Sequence, residues 1–238
     1  MITDWIRGGI DDLRDLRGPV PDRRARRLWM SRADRHRWEA AASLADVADL
    51  TAEWLEGGIE SQPGYQPGYG PDPETAGLVD VLAAVNRAGL LTSCSQPGSQ
   101  GSGYDGRWWQ QRAGVQLQAV HGLADQFAAS LAGTGLTVIH HRVGPASSEL
   151  EVTGPAETVA VDGEIVVTTR DGQAMTSFGS IESADSIEFR YDLLENDALD
   201  EILLADQLAV IDTQWGRDSL LWPALAHAAG QLPVAVPA

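Results

Sequence analysis

The chain has 238 residues, 43% of them hydrophobic, and a formal net charge of −17. That is enough apolar content to bury a sizeable core in one large domain, and no apolar run approaches the roughly 18 residues of a membrane helix. A single cysteine, Cys94, excludes an internal disulfide, and the N-terminus lacks the charged-then-apolar order of a secretory leader, so the expected compartment is the cytoplasm.

The charge is uneven. Every basic side chain is arginine; there is no lysine. Residues 1–38 hold ten Arg against six Asp, whereas residues 39–238 hold seven Arg against 28 acids. The body is therefore acidic and repels phosphates, so nucleic acid is not expected as a partner except through the Arg-rich N-terminal arm. An acidic surface can also serve a basic protein partner.

Residues 1–30 read as an Arg-rich extension, with little apolar periodicity around Gly18-Pro-Val-Pro21. Residues 31–238 read as a single α/β domain. Ser31 and Ser43 each precede an acid by three residues, the pattern of a capping box. The second helix carries Leu44, Val47, Leu50, Thr51, Trp54 and Leu55 on one face and stops at Gly57-Gly58. Gln62-Pro-Gly-Tyr65 and Gln66-Pro-Gly-Tyr69 repeat in tandem and predict type II turns in an exposed loop.

Asp72 and Pro73 predict a helix start, with Leu78, Val81, Leu82 and Val85 as the buried stripe and Gly89 as the stop. Leu90–Gly98 then reads as a strand opening into a polar Ser-Gln-Pro-Gly loop. Ser95–Gln111 is expected to be a long loop, rich in Gly, Ser and Gln and carrying Trp108 and Trp109. Residues 114–120 alternate as a strand, 123–131 form a helix and 136–140 a second strand. This order predicts a right-handed βαβ unit with parallel strands.

Further on, Asp162-Gly163 predicts a hairpin between residues 159–161 and 164–169, and Asp171-Gly172 a second turn toward Met175–Phe178. Ile187–Tyr191 is a candidate strand. Asn196 is expected to cap a helix through Leu204, Leu208–Ile211 to form a buried strand, and Asp218 to cap the last helix. The fold expectation is α/β (or α+β): a mixed sheet with a βαβ unit and one or two hairpins, N-terminal helices packed on it.

Open α/β sheets bind ligands at the carboxyl ends of their strands. Three such ends carry polar side chains: Thr92–Gln96, His140–Arg142 and Asp212–Asp218. If they meet, Ser95, Gln96, Arg112, Asp212 and Arg217 offer a polar pocket, and Trp108 or Trp215 a stacking face. The alternative for Asp212–Arg217 is a local turn closed by an internal salt bridge.

Cys94 lacks a cysteine-protease signature and Ser95 lacks Gly-x-Ser-x-Gly, so no catalytic residue is assigned. His140 and His141 are adjacent and on a strand face opposite ways, which prevents both from holding one ion. No metal or cofactor motif occurs: neither a Walker loop nor Gly-x-Gly-x-x-Gly after a strand.

Arg32-Ala-Asp-Arg35, Thr51-Ala-Glu-Trp-Leu-Glu-Gly57, Asn86-Arg-Ala-Gly89, Thr92, Ser95-Gln-Pro-Gly98, Gln111-Arg-Ala113 and Asp212–Arg217 together resemble an uncharacterised family of actinobacterial, phage and plasmid proteins. The resemblance implies that the Ser-Gln-Pro-Gly and Trp-Gly-Arg loops belong to one recurring module, and carries no activity. The leading expectation is a cytoplasmic protein that binds a small polar or anionic ligand, with nucleotides among the candidates, at the strand ends. Two alternatives stand beside it: a phage- or plasmid-associated interaction or inhibitor protein, and a hydrolase- or transferase-type enzyme using the same pocket.

Overall fold

The computed structural model describes residues 30–144, 148–155, 163–194 and 197–232. The Arg-rich arm, residues 159–161 with Asp162, the expected cap Asn196 and the tail from 233 lie outside the described residues. The described fold is α/β, with seven α-helices and two antiparallel sheets. No helix among these residues is long and apolar enough to cross a membrane.

The N-terminal helices begin as their capping serines dictate. In α1 (Arg32–Glu39) the Ser31 hydroxyl accepts from Asp34 N at 3.0 Å; in α2 (Leu44–Leu55) Ser43 accepts from Asp46 N at 3.1 Å. Met30, at the boundary of the expected extension, is buried in the core. The tandem turns form as predicted, with Gly64 and Gly68 at φ 74° and 75°. They fold onto the helices: Tyr65 meets Trp54 edge-on at 5.3 Å, and Trp38 Nε1 donates to Ser61 O.

The helix expected from Asp72 divides. Pro73–Gly77 is a 3-10 turn, and α3 begins only at Val79 (Val79–Arg87). The Asp72 carboxylate makes no cap; it accepts from Tyr65 OH instead, at 2.7 Å. Buried Asn86 then fastens α3 to the first strand. Its Nδ2 donates to Leu82 O and Thr92 Oγ1, and its Oδ1 accepts from Thr92 N at 3.0 Å.

The main sheet has strand order β1-β4-β9-β5-β6, where β1 is Leu91–Gln96, β4 Gly114–Ala119, β5 Thr137–Val143, β6 Ser148–Thr153 and β9 Asp206–Ile211. Helix α4 (His121–Ser130) links β4 to β5. Those two strands do run the same way, as the βαβ expectation requires. They are not neighbours, however, because β9 lies antiparallel between them. Every residue of β9 is buried, and its continuous apolar run suits a central strand better than an edge. The parallel ladder is thus replaced by a split βαβ unit.

One face of this sheet, through Val115, Leu117, Leu208, Val210 and Val138, meets α2, α3, α4 and the last helix α7 (Leu221–Gln231). The other face carries Ile139, Ala209 and Ile211 against a second sheet.

That second sheet corrects the expected long loop. Ser99–Ser102 (β2) and Trp108–Gln111 (β3) form a hairpin whose ladder continues through β7 (Ile165–Arg170) to β8 (Gln173–Phe178). Asp105-Gly106 makes its turn, with Gly106 at φ 75° and Arg107 N on Asp105 Oδ1. The polar Ser and Gln residues had masked the strand pattern. Asp171-Gly172 turns β7 into β8 as predicted, both at positive φ.

Two later expectations also change. The candidate strand at 187–191 is part of a helix, α5 (Ala184–Arg190), capped by Ser183 and braced by Ser186 and Arg190 on Glu182. A final helix pair follows: α6 (Asp197–Leu204) and α7, whose N-cap is Leu220 rather than Asp218.

Asn86→Ala is expected to lower stability by about 2–3 kcal/mol, because it strands buried partners on Thr92 and leaves a small void. Urea unfolding of the variant, with an unchanged slope, checks this.

Candidate functional site

The two ends of the main sheet are chemically different. β1 and β9 run together, so their carboxyl ends meet at one end; β4 and β5 end at the other. The three polar strand ends of the sequence therefore separate into two groups.

At the first end, five of the seven expected ligand residues come together. Asp212 is fully buried and pairs bidentately with Arg217, Oδ2 to Nε at 2.5 Å and Oδ1 to Nη2 at 2.6 Å. Its Oδ1 also accepts from Gln214 N. The pair holds Arg217 above its ordinary pKa through this hydrogen bonding. Arg112 lies 4.0 Å from the ring centroid of Trp215 and donates to Thr213 O and Val166 O. Gln96 donates to Arg112 O and Val167 O and accepts from Thr168 Oγ1.

The two glycine motifs interlock at this point. Gly98 N donates to Asp218 Oδ1, and a Cβ on Gly98 would overlap Arg217 O. The internal salt bridge, weighed above as an alternative for Asp212–Arg217, is present. Ser95 lies alongside on β1, half-buried, while Trp108 sits exposed on β3 with its N–H on Asp171 Oδ1.

The second end holds residues that the sequence did not single out as a set. Asp206, the first residue of β9, is fully buried. Its Oδ1 accepts from Val143 N at 3.0 Å and from His121 Nδ1 at 2.8 Å; its Oδ2 accepts from His140 Nε2 at 2.8 Å. His121 opens α4, and its side chain is 59% exposed. With Nδ1–H on the carboxylate, the imidazole is fixed as one tautomer and Nε2 is left for the solvent side.

Asp125, one helical turn on, is ion-paired with Arg142, which also reaches Glu151 at 3.1 Å. Asp125, His140 and Asp206 each bring one ligand atom to within 4.8 Å of the others. The imidazole borders a groove of about 370 Å³ whose other walls are Val120, Asp197, Asp200, Glu201, Leu204 and Ala205. The signal for this site was the pairing of a charged strand start, Asp206, with one histidine just past β4, His121, and one in the middle of β5, His140. Only the insertion of β9 brings them together.

His141 faces the other way, as adjacency on a strand requires, and its Nε2 meets Gly179 O at 2.6 Å. It lines a recess of about 20 Å³ with Ser93, Gln116, Gln118, Glu182 and Gln207. The amide of Gln118 has no hydrogen-bond partner there. The space suits about one water-sized group.

Cys94 is solvent-accessible, yet its thiol is crowded. Burial, with Glu74 and Asp72 adding to it and Arg190 opposing, pushes its pKa up to about 11. A thiol so raised is a poor nucleophile at neutral pH. Glu74 is raised to about 7, first by burial and then by Asp72, against a hydrogen bond from Gln111.

Residues 33–232 match the model of a family described as Domain of unknown function (DUF6919), and the chain belongs to that family. The match spans both ends of the main sheet and the second sheet. No curated protein gives a significant match.

Asp212→Asn is expected to cost about 3 kcal/mol, because it leaves Arg217 half-buried without its counter-charge; a fall in the urea midpoint measures it. Glu74 supplies a pH dependence. An acid with a raised folded pKa holds its proton more tightly when folded. Stability therefore falls as pH rises from about 4.5, the unfolded value, through about 7, and levels off above. Glu74→Gln is expected to flatten that slope, its gain over the parent being larger at pH 8 than at pH 5.

Proposed function

Taking that family membership as the premise, we propose that the protein binds a small polar ligand in the groove just beyond the carboxyl end of β4, and that His121 is the acid–base group that meets it. The observation that carries this reading is the His121–Asp206 pair. A fully buried carboxylate orients an exposed imidazole at the wall of a groove of about 370 Å³. That volume falls in the range of small-molecule sites, and a carboxylate-held imidazole is arranged to accept a proton through its second nitrogen.

The groove favours one charge class. Asp197, Asp200 and Glu201 stand around the imidazole, and Glu201 Oε2 is already engaged by Leu44 N at 2.8 Å. Asp197 and Asp200 select a ligand carrying an amine or another N–H-rich cation, and disfavour nucleotides and other anions. Leu204 and Val120, both exposed, add apolar walls for a short carbon chain. The Gln96, Arg112, Asp212 and Arg217 cluster then serves the fold, its charges spent on one another. The arginine-for-lysine usage and the lone cysteine support, in this reading, a cytoplasmic protein of a high-GC actinobacterium.

The second reading, a hydrolase- or transferase-type enzyme, rests on the same imidazole. A water or ligand hydroxyl at Nε2 would lose its proton to it, with Asp206 stabilising the imidazolium that forms.

Calorimetry of metal-free protein in EDTA against polyamines, amino sugars, basic amino acids and nucleotides tests the proposal. An amine is expected to bind, and His121→Ala and Asp200→Asn to weaken it at least tenfold. Binding confined to nucleotides, or unchanged in both variants, would overturn it.

A further inference from the structure

Behind His121, which borders the groove and holds Asp206, we infer a divalent metal site made by Asp125, His140 and Asp206. It does not depend on the groove's taking an organic ligand.

The three ligand atoms come from three elements that nothing local links: α4, the central part of β5 and the start of β9. They lie within 4.8 Å of one another, with His140 Nε2 and Asp206 Oδ2 already at 2.8 Å. Donors around one ion at about 2.1 Å sit roughly 3–4 Å apart. Side-chain adjustment of about 1–2 Å at the widest separation, with a small opening of the His140–Asp206 pair, therefore brings all three to one centre.

Their surroundings support the role. His140 and Asp206 are buried, so their positions are fixed by packing. Val143 N holds Asp206 Oδ1, which leaves Oδ2 as the ligand atom. Arg142 grips Asp125 from outside and keeps Glu151 as a second partner, as an orienting group behind a ligating carboxylate does. The remaining side is bounded by His121, itself on Asp206 and exposed at the groove. Three protein ligands leave a fourth coordination position for water or a substrate atom, as three-ligand sites do.

One imidazole and two carboxylates make a donor set of intermediate softness, suited to Zn²⁺, Co²⁺ or Mn²⁺ rather than to a thiolate-seeking ion. Binding replaces one hydrogen bond. His140 Nε2, now donating to Asp206, presents its lone pair to the metal, and its proton moves to Nδ1 or to solvent. The buried Asp206 charge, shared at present among three N–H donors, gains a full cationic partner.

The test uses the full chain, stripped with EDTA and dialysed, titrated with Co²⁺ while visible absorption and heat are followed, then displaced by Zn²⁺. One equivalent is expected to bind, with a visible d–d spectrum, and Zn²⁺ to raise the melting temperature. His140→Gln and Asp125→Asn are each expected to weaken binding at least tenfold, and His36→Gln, at an exposed position on α1, to leave it unchanged. Asp125 is partly exposed, so its variant keeps the fold even if His140→Gln does not. Absence of a spectral change, equal affinity in wild type and Asp125→Asn, or loss only in His36→Gln overturns the site. The amine titration in EDTA reports separately on the groove.

Discussion

The two-sheet arrangement depends on one corner, Gln111–Ala113, where the chain leaves the second sheet and enters the main one. A corner of this kind exposes backbone groups from both ladders at once. Here three of them pair with neighbouring backbone. Arg112 N continues the ladder to Val167 O, Ala113 O receives Asp212 N, and Gln111 O receives Gly216 N. The Arg112 guanidinium then crosses the gap, donating to Val166 on one sheet and to Thr213 after the other. Burial pulls its pKa down and the nearby Asp212 opposes that, so the cation is held in a crowded place by its neighbours. Asp212 and Arg217 close the structure from beyond.

The opposite end of the main sheet holds a different polar cluster. β9 enters the sheet there with a carboxylate, Asp206, as its first residue. A buried acid at the start of a central strand is costly unless donors surround it. Three do: two imidazoles and one backbone amide. The same sheet thus spends one polar cluster on its architecture and leaves the other facing a groove. The difference lies in partners. Arg217 is spent on Asp212, whereas the exposed imidazole of His121 presents a second nitrogen to solvent.

How much of this was legible follows from the range of each signal. The capped helices, the Pro-Gly turns at Gly64 and Gly68, and the Asp171-Gly172 hairpin are local, and each formed where its residues indicated. The expected meeting of the Ser-Gln-Pro-Gly and Trp-Gly-Arg loops also holds, because both follow co-directional strands. The misses have non-local causes. β2 and β3 carry Ser and Gln where hydrophobic alternation would mark a strand; they are strands because β7 offers them a ladder. Ile187–Tyr191 has β-prone residues, yet the Ser183 cap and the Glu182–Arg190 brace decide for helix. The insertion of β9 between β4 and β5 has no local signature at all. It depends on 60 or so intervening residues returning to the sheet, and with it went any view of the Asp206 cluster.

The acidic composition takes on meaning at that cluster. A formal charge of −17 spread over a surface chiefly governs solubility and the sign of what approaches. It acts on chemistry only where geometry concentrates it, and the structure does so beside His121. Asp197 and Asp200 sit on α6, one turn apart, against the start of α4. The amino-terminal dipole of α4 is positive and would favour an anion. The carboxylates of Asp206, Asp197 and Asp200 outweigh that partial charge and reverse the preference. A cation reaching the groove therefore meets full negative charges, an imidazole with an oriented lone pair and a buried carboxylate behind it. An anion would have to displace them. On this ground the selectivity proposed for the groove would follow from the local carboxylates and the strand that starts at Asp206, and not from the net charge of the chain.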